Sequence, residues 1–344
     1  VQIGATKITE DTTSATFKGN VTISALPDGT YELEEITAPN GFTTISTFTF
    51  VVKNGVVTTV SEVTNGEVEK SEDGKTLTIK DERSAIQIDK RDITGENEVA
   101  GATLTLTNDD LTTEQWDAIA AADTDLTAVG NGVQWTSSDA AKNIVGLPSG
   151  TYTLKETAAP DGYAYAEDIT FTVEKDGTIT VDAANKDENG VIIMKDDVTK
   201  VSISKKTLTG SDELAGAELK LYYVTENEQG ETTETEVDAW TSGTEAHVIN
   251  GKLTAGGKYK LVEVTAPDGY QVAEAVTFTV NKDGSLTEVV MRDAAEGELA
   301  ISKQSVNSTD ELEGASLKLT DATGKTVAEW VSGKTPKQVQ LDAG

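Results

Sequence analysis

Nine ionisable side chains in the 344-residue sequence stand where an alternating strand would carry them into a core. Three are glutamates, in Tyr31-Glu-Leu33-Glu-Glu35, Tyr152-Thr-Leu154-Lys-Glu156 and Tyr259-Lys-Leu261-Val-Glu263. Side chains at i, i+2 and i+4 share one face of a strand, so a Tyr and a Leu suited to a core take the Glu in with them. Three are aspartates, in Leu77-Thr-Ile79-Lys-Asp81, Ile192-Ile-Met194-Lys-Asp196 and Val289-Val-Met291-Arg-Asp293. Three are lysines, in Ile86-Gln-Ile88-Asp-Lys90, Val201-Ser-Ile203-Ser-Lys205 and Leu299-Ala-Ile301-Ser-Lys303. Strand parity selects Glu35 over Glu34, Asp196 over Asp197 and Lys205 over Lys206, because a slip of one residue turns every side chain to the other face.

An amine and two carboxyl groups in a dry core have two outcomes. One is a cluster of buried ion pairs. Desolvating each ion costs several kcal/mol even after relaxation, and one Lys with two acids leaves a charge unpaired. The other is condensation of Lys and Asp into an amide, which removes both charges. A lysine is nucleophilic only when neutral, and apolar burial can lower its pKa by about 3–5 units. The Asp must be protonated for its hydroxyl to leave as water, and an adjacent Glu with a raised pKa can hold and pass that proton. Holding the groups in contact supplies effective molarities on the order of 10⁵–10⁸ M. No metal or cofactor is needed.

Composition narrows the alternatives. The chain is 37% hydrophobic and 25% charged, as in soluble globular proteins, and its short alternating Thr- and Val-rich runs indicate an all-β fold. A net charge of −31 opposes binding to nucleic acid or anionic membranes. With no cysteine and one histidine, His247, neither disulfides nor a thiolate metal site can form, and a Ser-His-Asp triad is disfavoured. No apolar run is long enough to cross a membrane, and neither end reads as a signal peptide or sorting signal, so the expectation is a piece of a longer chain.

The elements that must position these groups recur in order. Each Tyr-x-Leu-x-Glu box runs into Ala-Pro-x-Gly, a strand stop. Downstream, Phe48–Val56, Ile169–Ile179 and Val276–Leu286 each place Asn-Gly or Asp-Gly between alternating apolar residues and predict hairpins. These periods divide the chain into repeats at 1–82, 83–198, 199–295 and 296–344. The middle two run from lysine strand through glutamate strand to aspartate strand. Short joins without Pro- or Gly-rich linkers predict tandem Ig-like or prealbumin-like β-sandwiches in a stiff rod. One insertion breaks the pattern: Thr112–Ala122 carries Trp116, Ile119 and Ala120 at helical spacing behind an N-cap Thr112 or Thr113, and predicts a short helix on the second domain.

Taken together, the Tyr-x-Leu-x-Glu-x-x-Ala-Pro-x-Gly-Tyr box, the strand Ile86-x-Ile88-x-Lys90-Arg-Asp92 and the closing Ile193-Met-Lys-Asp196 resemble the Cna protein B-type domains. These are the collagen-adhesin B-repeats, or SpaA-like prealbumin-like domains, of Gram-positive surface adhesins and pilins. The resemblance covers both middle repeats in full and the end repeats in part. It implies spontaneous isopeptide bonds joining Lys90 to Asp196 and Lys205 to Asp293, with Glu156 and Glu263 as catalysts and Glu35 in the same catalytic position of the first repeat. It further implies a cell-wall-attached extracellular protein whose partners are neighbouring domains or copies of the same fibre.

The end repeats depart from the pattern. The first has Glu35 and Asp81 but no lysine strand, and the fourth has Lys303 but no Glu or Asp strand. Two explanations stand: a window cut from a longer array, or pairing of Lys303 with Asp81 of another copy. Gly314-Ala-Ser316 resembles Gly4-Ala-Thr6 and Leu341-Asp-Ala-Gly344 resembles Leu26-Pro-Asp-Gly29, so a domain joined in that way would have surplus strands. The functional expectation is a structural stalk or fibre segment. The alternative is an adhesin binding a host protein or glycan through the variable segments 107–131 and 224–238. A turnover enzyme is not expected, since the only reactive set is consumed by its own reaction.

Overall fold

A computed structural model describes residues 2–3, 6–7, 15–16, 18–295, 298–306 and 308–340. Gly4-Ala5 and Leu341–Gly344, compared above, lie outside the described residues. The chain divides into two compact units, Val1–Ala158 with Glu167–Lys195, and Ala159–Ala166 with Asp196–Gly344. The described residues are predominantly β, as the alternation predicts, with one α-helix among them.

In the first unit a six-stranded antiparallel sheet runs in the order Thr127–Val129, Gly132–Thr136, Thr103–Thr107, Gly150–Ala158, Ile169–Val173, Ile179–Thr180. A three-stranded sheet holds the lysine strand Ala85–Asp92 between Lys142–Val145 and the aspartate strand Ile192–Asp196, which lies in this unit up to Lys195. Alternate residues of both sheets are buried, among them Leu104, Leu106, Tyr152, Leu154 and Phe171 from one and Ile86, Ile88, Ile144, Ile192 and Met194 from the other. The helix Thr113–Ala121 starts with a capping box between Thr112 and Gln115 and buries Trp116 and Ile119. Trp116 meets Tyr152 edge-on at 6.2 Å, so the helix turns its apolar face to the core of its own unit. Elsewhere in this unit, Gly29–Leu33, Phe48–Lys53 and Val56–Val60 form a sheet around Phe48, Phe50 and Val52, and Gly66–Lys70 pairs with Leu77–Asp81.

The second unit repeats the two-sheet plan. Thr232–Thr241, Glu218–Glu226, Lys258–Thr265 and Val276–Thr279 form one sheet, and His247–Asn250, Lys200–Thr207 and Leu286–Asp293 the other. Val201, Ile203, Val289 and Met291 meet Leu219, Leu221, Tyr259 and Leu261 in a single core. Glu298–Ile301 pairs with Lys337–Gln340, and Ser316–Thr320 with Thr326–Val331.

Of the three expected hairpins, the first forms around Asn54-Gly55, both with positive φ as a tight two-residue turn requires. The second forms with only Ile179–Thr180 as its return. The third does not. Val276–Thr279 pairs with Lys258–Thr265, whereas Leu286–Asp293 crosses to the other sheet and lies parallel to Lys200–Thr207. Burying Val289 and Met291 against the lysine strand overrides the local turn signal.

The Ala-Pro-x-Gly turn has a second role. In the first unit the buried Ser84 donates its N–H to Gly41 O at 3.1 Å and its hydroxyl to Leu147 O at 2.6 Å, and its carbonyl accepts Gly146 N–H at 2.8 Å. A Cβ on Gly41, at φ +81°, would stand 2.7 Å from Gly146 O, so only glycine fits. Within the second unit Thr199 makes the same three bonds, to Gly162 O at 2.9 Å, Leu253 O at 2.7 Å and Gly251 N at 2.9 Å.

Candidate functional site: buried lysine, glutamate and aspartate

In the second unit the lysine and aspartate strands are parallel neighbours, with Lys205 opposite Met291 and Thr207 opposite Asp293. Lys205 and Asp293 therefore lie diagonally on one face, and Lys205 Nζ meets Asp293 Oδ1. Glu263 reaches the same point from the other sheet, its Oε1 3.0 Å from Lys205 Nζ. The side chains of Lys205, Glu263 and Asp293 are 1%, 0% and 0% exposed.

Local structure explains how Glu263 is aimed. Tyr259 and Leu261 are buried on the same strand face, and Tyr259 Oη accepts Thr254 N–H at 2.9 Å, fixing the strand's start. A register shift immediately follows Glu263, with Leu219 opposite Glu263 but Glu218 opposite Thr265. Such a bulge redirects the side chain beside it. Glu263 Oε2 accepts Ala273 N–H at 2.6 Å, leaving Oε1 for the lysine.

Burial lowers the Lys205 pKa from its usual 10.5, opposed by Glu263. Asp293 Oδ2 is buried with no hydrogen-bond partner among the described residues. A carboxylate left that way is costly, whereas a proton on it would serve as a donor. Burial of the pair therefore works against holding the lysine charged.

In the first unit Lys90 Nζ lies 3.5 Å from Glu156 Oε1, with side chains 1% and 0% exposed. The box is built alike: Tyr152 Oη donates to Pro148 O at 2.6 Å, and a register shift again follows the glutamate, with Leu104 opposite Glu156 and Thr103 opposite Ala158. Burial pushes the Lys90 amine down to about 8 against the opposing pull of Glu156. Asp196, where the second unit resumes, is buried.

Glu35 and Asp81 also come together. Glu35 Oε2 accepts Ile45 N–H at 2.9 Å, the counterpart of the Glu263–Ala273 bond. Burial raises the Glu35 pKa, and the neighbouring Asp81 raises it further; Asp81 is raised by burial, in part offset by its hydrogen bond with Glu35. Lys303 is half-buried, and its Nζ makes no ion pair among the described residues.

One buried acid and one recurring glutamate lie outside the alternating pattern. Asp89 alternates outward yet is buried, held by Arg91 Nε at 2.7 Å. The adjacent Glu98 has its pKa raised to about 7, first by its hydrogen bond with Asp89 and then by burial. Eight positions after each lysine stands a glutamate, in Glu98-Val-Ala-Gly-Ala, Glu213-Leu-Ala-Gly-Ala and Glu311-Leu-Glu-Gly-Ala. Glu213 Oε2 accepts Lys205 N–H and Glu311 Oε2 accepts Lys303 N–H, both at 2.9 Å. The recurrence was visible in the sequence, but nothing local shows that this side chain reaches a strand's backbone. Among the described residues no group of His, Cys, Asp and Glu could hold a metal ion. His247 stacks on Trp240 at 4.0 Å and meets Asp238 at 3.0 Å.

Paired sheets with a lysine strand beside an aspartate strand and a glutamate reaching across define a prealbumin-like domain. The SpaA prealbumin-like fold domain matches residues 2–67, 84–187 and 199–295, well over half of the sequence, and the chain belongs to that family. No curated protein matches it. Among solved structures, the Bacillus anthracis TIE protein is similar over 93% of this chain and 54% of its own, at 19% identity and TM-score 0.32. The chain thus spans about half the length of that structure. A streptococcal ancillary pilin is similar over 75% and 76%, at 19% identity and TM-score 0.29. The shaft pilin SpaA from Lactobacillus rhamnosus GG is similar over 61% and 97%, at 15% identity and TM-score 0.25. No helix among the described residues is long and apolar enough to cross a membrane.

Proposed function

We propose that the chain is a structural segment of a Gram-positive surface fibre, a pilus or adhesin stalk, built of repeats 1–82, 83–198, 199–295 and 296–344. Its partners are neighbouring domains or copies of the same fibre, outside the cell and attached to the cell wall. The two middle repeats are each closed by a Lys–Asp isopeptide bond, Lys90 with Asp196 and Lys205 with Asp293. The observation that carries this reading is the buried meeting of Lys205 Nζ with both Asp293 and Glu263, whose side chains are 0–1% exposed.

In the reaction, neutral Lys205 Nζ attacks Asp293 Cγ. The nitrogen loses a proton, the C–OH bond of the protonated acid breaks, and one water leaves for each amide formed. Glu263 shuttles the proton between amine and departing oxygen, and Glu156 does the same for Lys90 and Asp196. Each reaction occurs once per chain. Force entering at one strand and leaving at its parallel neighbour would load the covalent bond before the ladder. By analogy with other cross-links, closing a loop of this length adds about 4–5 kcal/mol.

Intact mass under denaturing conditions tests this reading. The chain is expected to be lighter than its sequence mass by two waters, and an unshifted mass would refute bond formation. The adhesin alternative draws on the long hairpin Glu218–Glu226 with Thr232–Thr241, whose outer half is exposed. Finding host-surface binding unchanged in a chain that lacks both the 107–131 insertion and the hairpin tip 226–232 would eliminate it. Glu35 with Asp81, and Lys303, retain the same chemistry without a complete set. Covalent multimers on a denaturing gel would indicate pairing of Lys303 with Asp81 of another copy.

A further inference from the structure

We propose that Glu213 is a positioning residue for amide formation at Lys205, closing the open edge of the lysine strand by capping the Lys205 backbone and keeping water from it. This rests on the bond reading above.

The lysine strand Lys200–Thr207 is covered along one edge by Leu286–Asp293, but on its other edge His247–Asn250 reaches only as far as Ile203. At Lys205 that edge has no strand among the described residues, and both backbone polar groups point into it. The segment after the turn takes the strand's place: Glu213 Oε2 accepts Lys205 N–H at 2.9 Å, and Leu214 N–H donates to Lys205 O at 2.6 Å. That segment is itself fixed by the nearly buried Ser242, which donates to Leu214 O at 2.7 Å and accepts Ala217 N–H at 2.9 Å. Glu213 Oε1 lies 3.6 Å from Lys206 Nζ, so the capping carboxylate has a cation on its outer side.

The same device appears a second time in the chain. Lys303 N–H donates to Glu311 at 2.9 Å, Leu312 N–H to Lys303 O at 2.6 Å, and Ala315 N–H to Ser332 Oγ at 2.9 Å. The second repeat shares its frame: Val99 N–H donates to Lys90 O at 2.8 Å, and Ser137 links Ala102 N to Val99 O.

A cleft of ≈ 110 Å³ opens beside Lys205, lined also by Glu213, Trp240, Ser242, Glu245 and His247. It is large enough for a few waters. Without the Glu213 carboxylate, the Lys205 N–H would face that cleft and recruit water. The Lys205 amine faces Glu263 and Asp293 from the two sheets, and its nucleophilicity depends on staying dry and in contact with them. Misplacing reacting atoms by about 1 Å can cost about 10²-fold in rate.

The test follows the cross-linked Lys205–Asp293 peptide, quantified by mass spectrometry of the digested full-length chain, over time after cell-free synthesis. Glu213→Ala is expected to slow its appearance by about 10- to 100-fold. Glu213→Gln, which keeps an oxygen acceptor but loses the charge facing Lys206, is expected to stay within about threefold of the parent, since a neutral acceptor can make the same bond. Hydrogen exchange at the Lys205 amide should accelerate in the Ala variant alone, while circular dichroism shows both variants folded. Unchanged kinetics in Glu213→Ala, or equal slowing in both variants, overturns the positioning role while leaving the bond intact. Absence of the cross-linked peptide in the parent chain overturns both.

Discussion

Replacing Glu263 by Gln tests the proton transfer proposed for it. The amide is nearly isosteric, and its oxygen can still accept Ala273 N–H in place of Oε2. What is lost is the carboxyl 3.0 Å from Lys205 Nζ, the group proposed to pass protons between amine and acid. General acid–base catalysis is worth about 10²–10⁴-fold, so bond formation over an ordinary preparation should fall from complete to slight. The unbonded domain then lacks the cross-link contribution of about 4–5 kcal/mol. For a domain of this size each kcal/mol moves the melting temperature by about 4–8 °C, which places the transition of residues 199–295 roughly 15–40 °C lower. Intact mass should show one water regained, and calorimetry should show one transition displaced while the others stay. A Glu263→Gln chain that still loses both waters would refute the catalytic assignment. One that regains the water without a displaced transition would refute the cross-link as the source of stability.

Three other outcomes follow from the geometry. In an Asp196→Ala chain, which cannot bond, Lys90 is charged below its folded pKa of about 8 and neutral above it. Because that pKa lies below the unfolded value, burial destabilises the domain at low pH and the penalty is relieved as pH rises from about 8 towards 10.5; melting that is flat over this range would exclude a buried amine. Glu35 and Asp81 have raised pKa values, so their contribution is fully present below the usual carboxylate range and is lost as pH rises through the folded values. Glu35→Gln should flatten that dependence in thermal melts, and an unaltered profile would contradict the pairing. Gly41→Ala places a Cβ 2.7 Å from Gly146 O at φ +81°, and strain of about 1–3 kcal/mol should appear as faster hydrogen exchange at the Ser84 and Gly146 amides; unchanged protection would show that the contact yields without cost.

Period-two alternation alone determined the β class, the order of the lysine, glutamate and aspartate strands, and the inward face of Lys90, Lys205, Glu156, Glu263, Asp196 and Asp293. It could do so because a strand has only two faces, and one buried neighbour fixes the parity of all the others. The capped helix at Thr113–Ala121 was legible for a similar reason, since its N-cap and its i, i+3 apolar pair are local signals.

Other features had no local signature. Leu286–Asp293 abandons its hairpin for a parallel place beside the lysine strand, because the gain comes from burial against residues some 85 positions away. Asp89 is buried against the alternation because Arg91 and Glu98 accompany it. Glu213 reads as an ordinary surface acid until the shortness of His247–Asn250 exposes a backbone edge for it to cap. Strand parity decided which residues enter the core. Only the tertiary fold brought Lys205, Glu263 and Asp293 to one point, because three strands distant in sequence must pack together before an amine and an acid can meet without water.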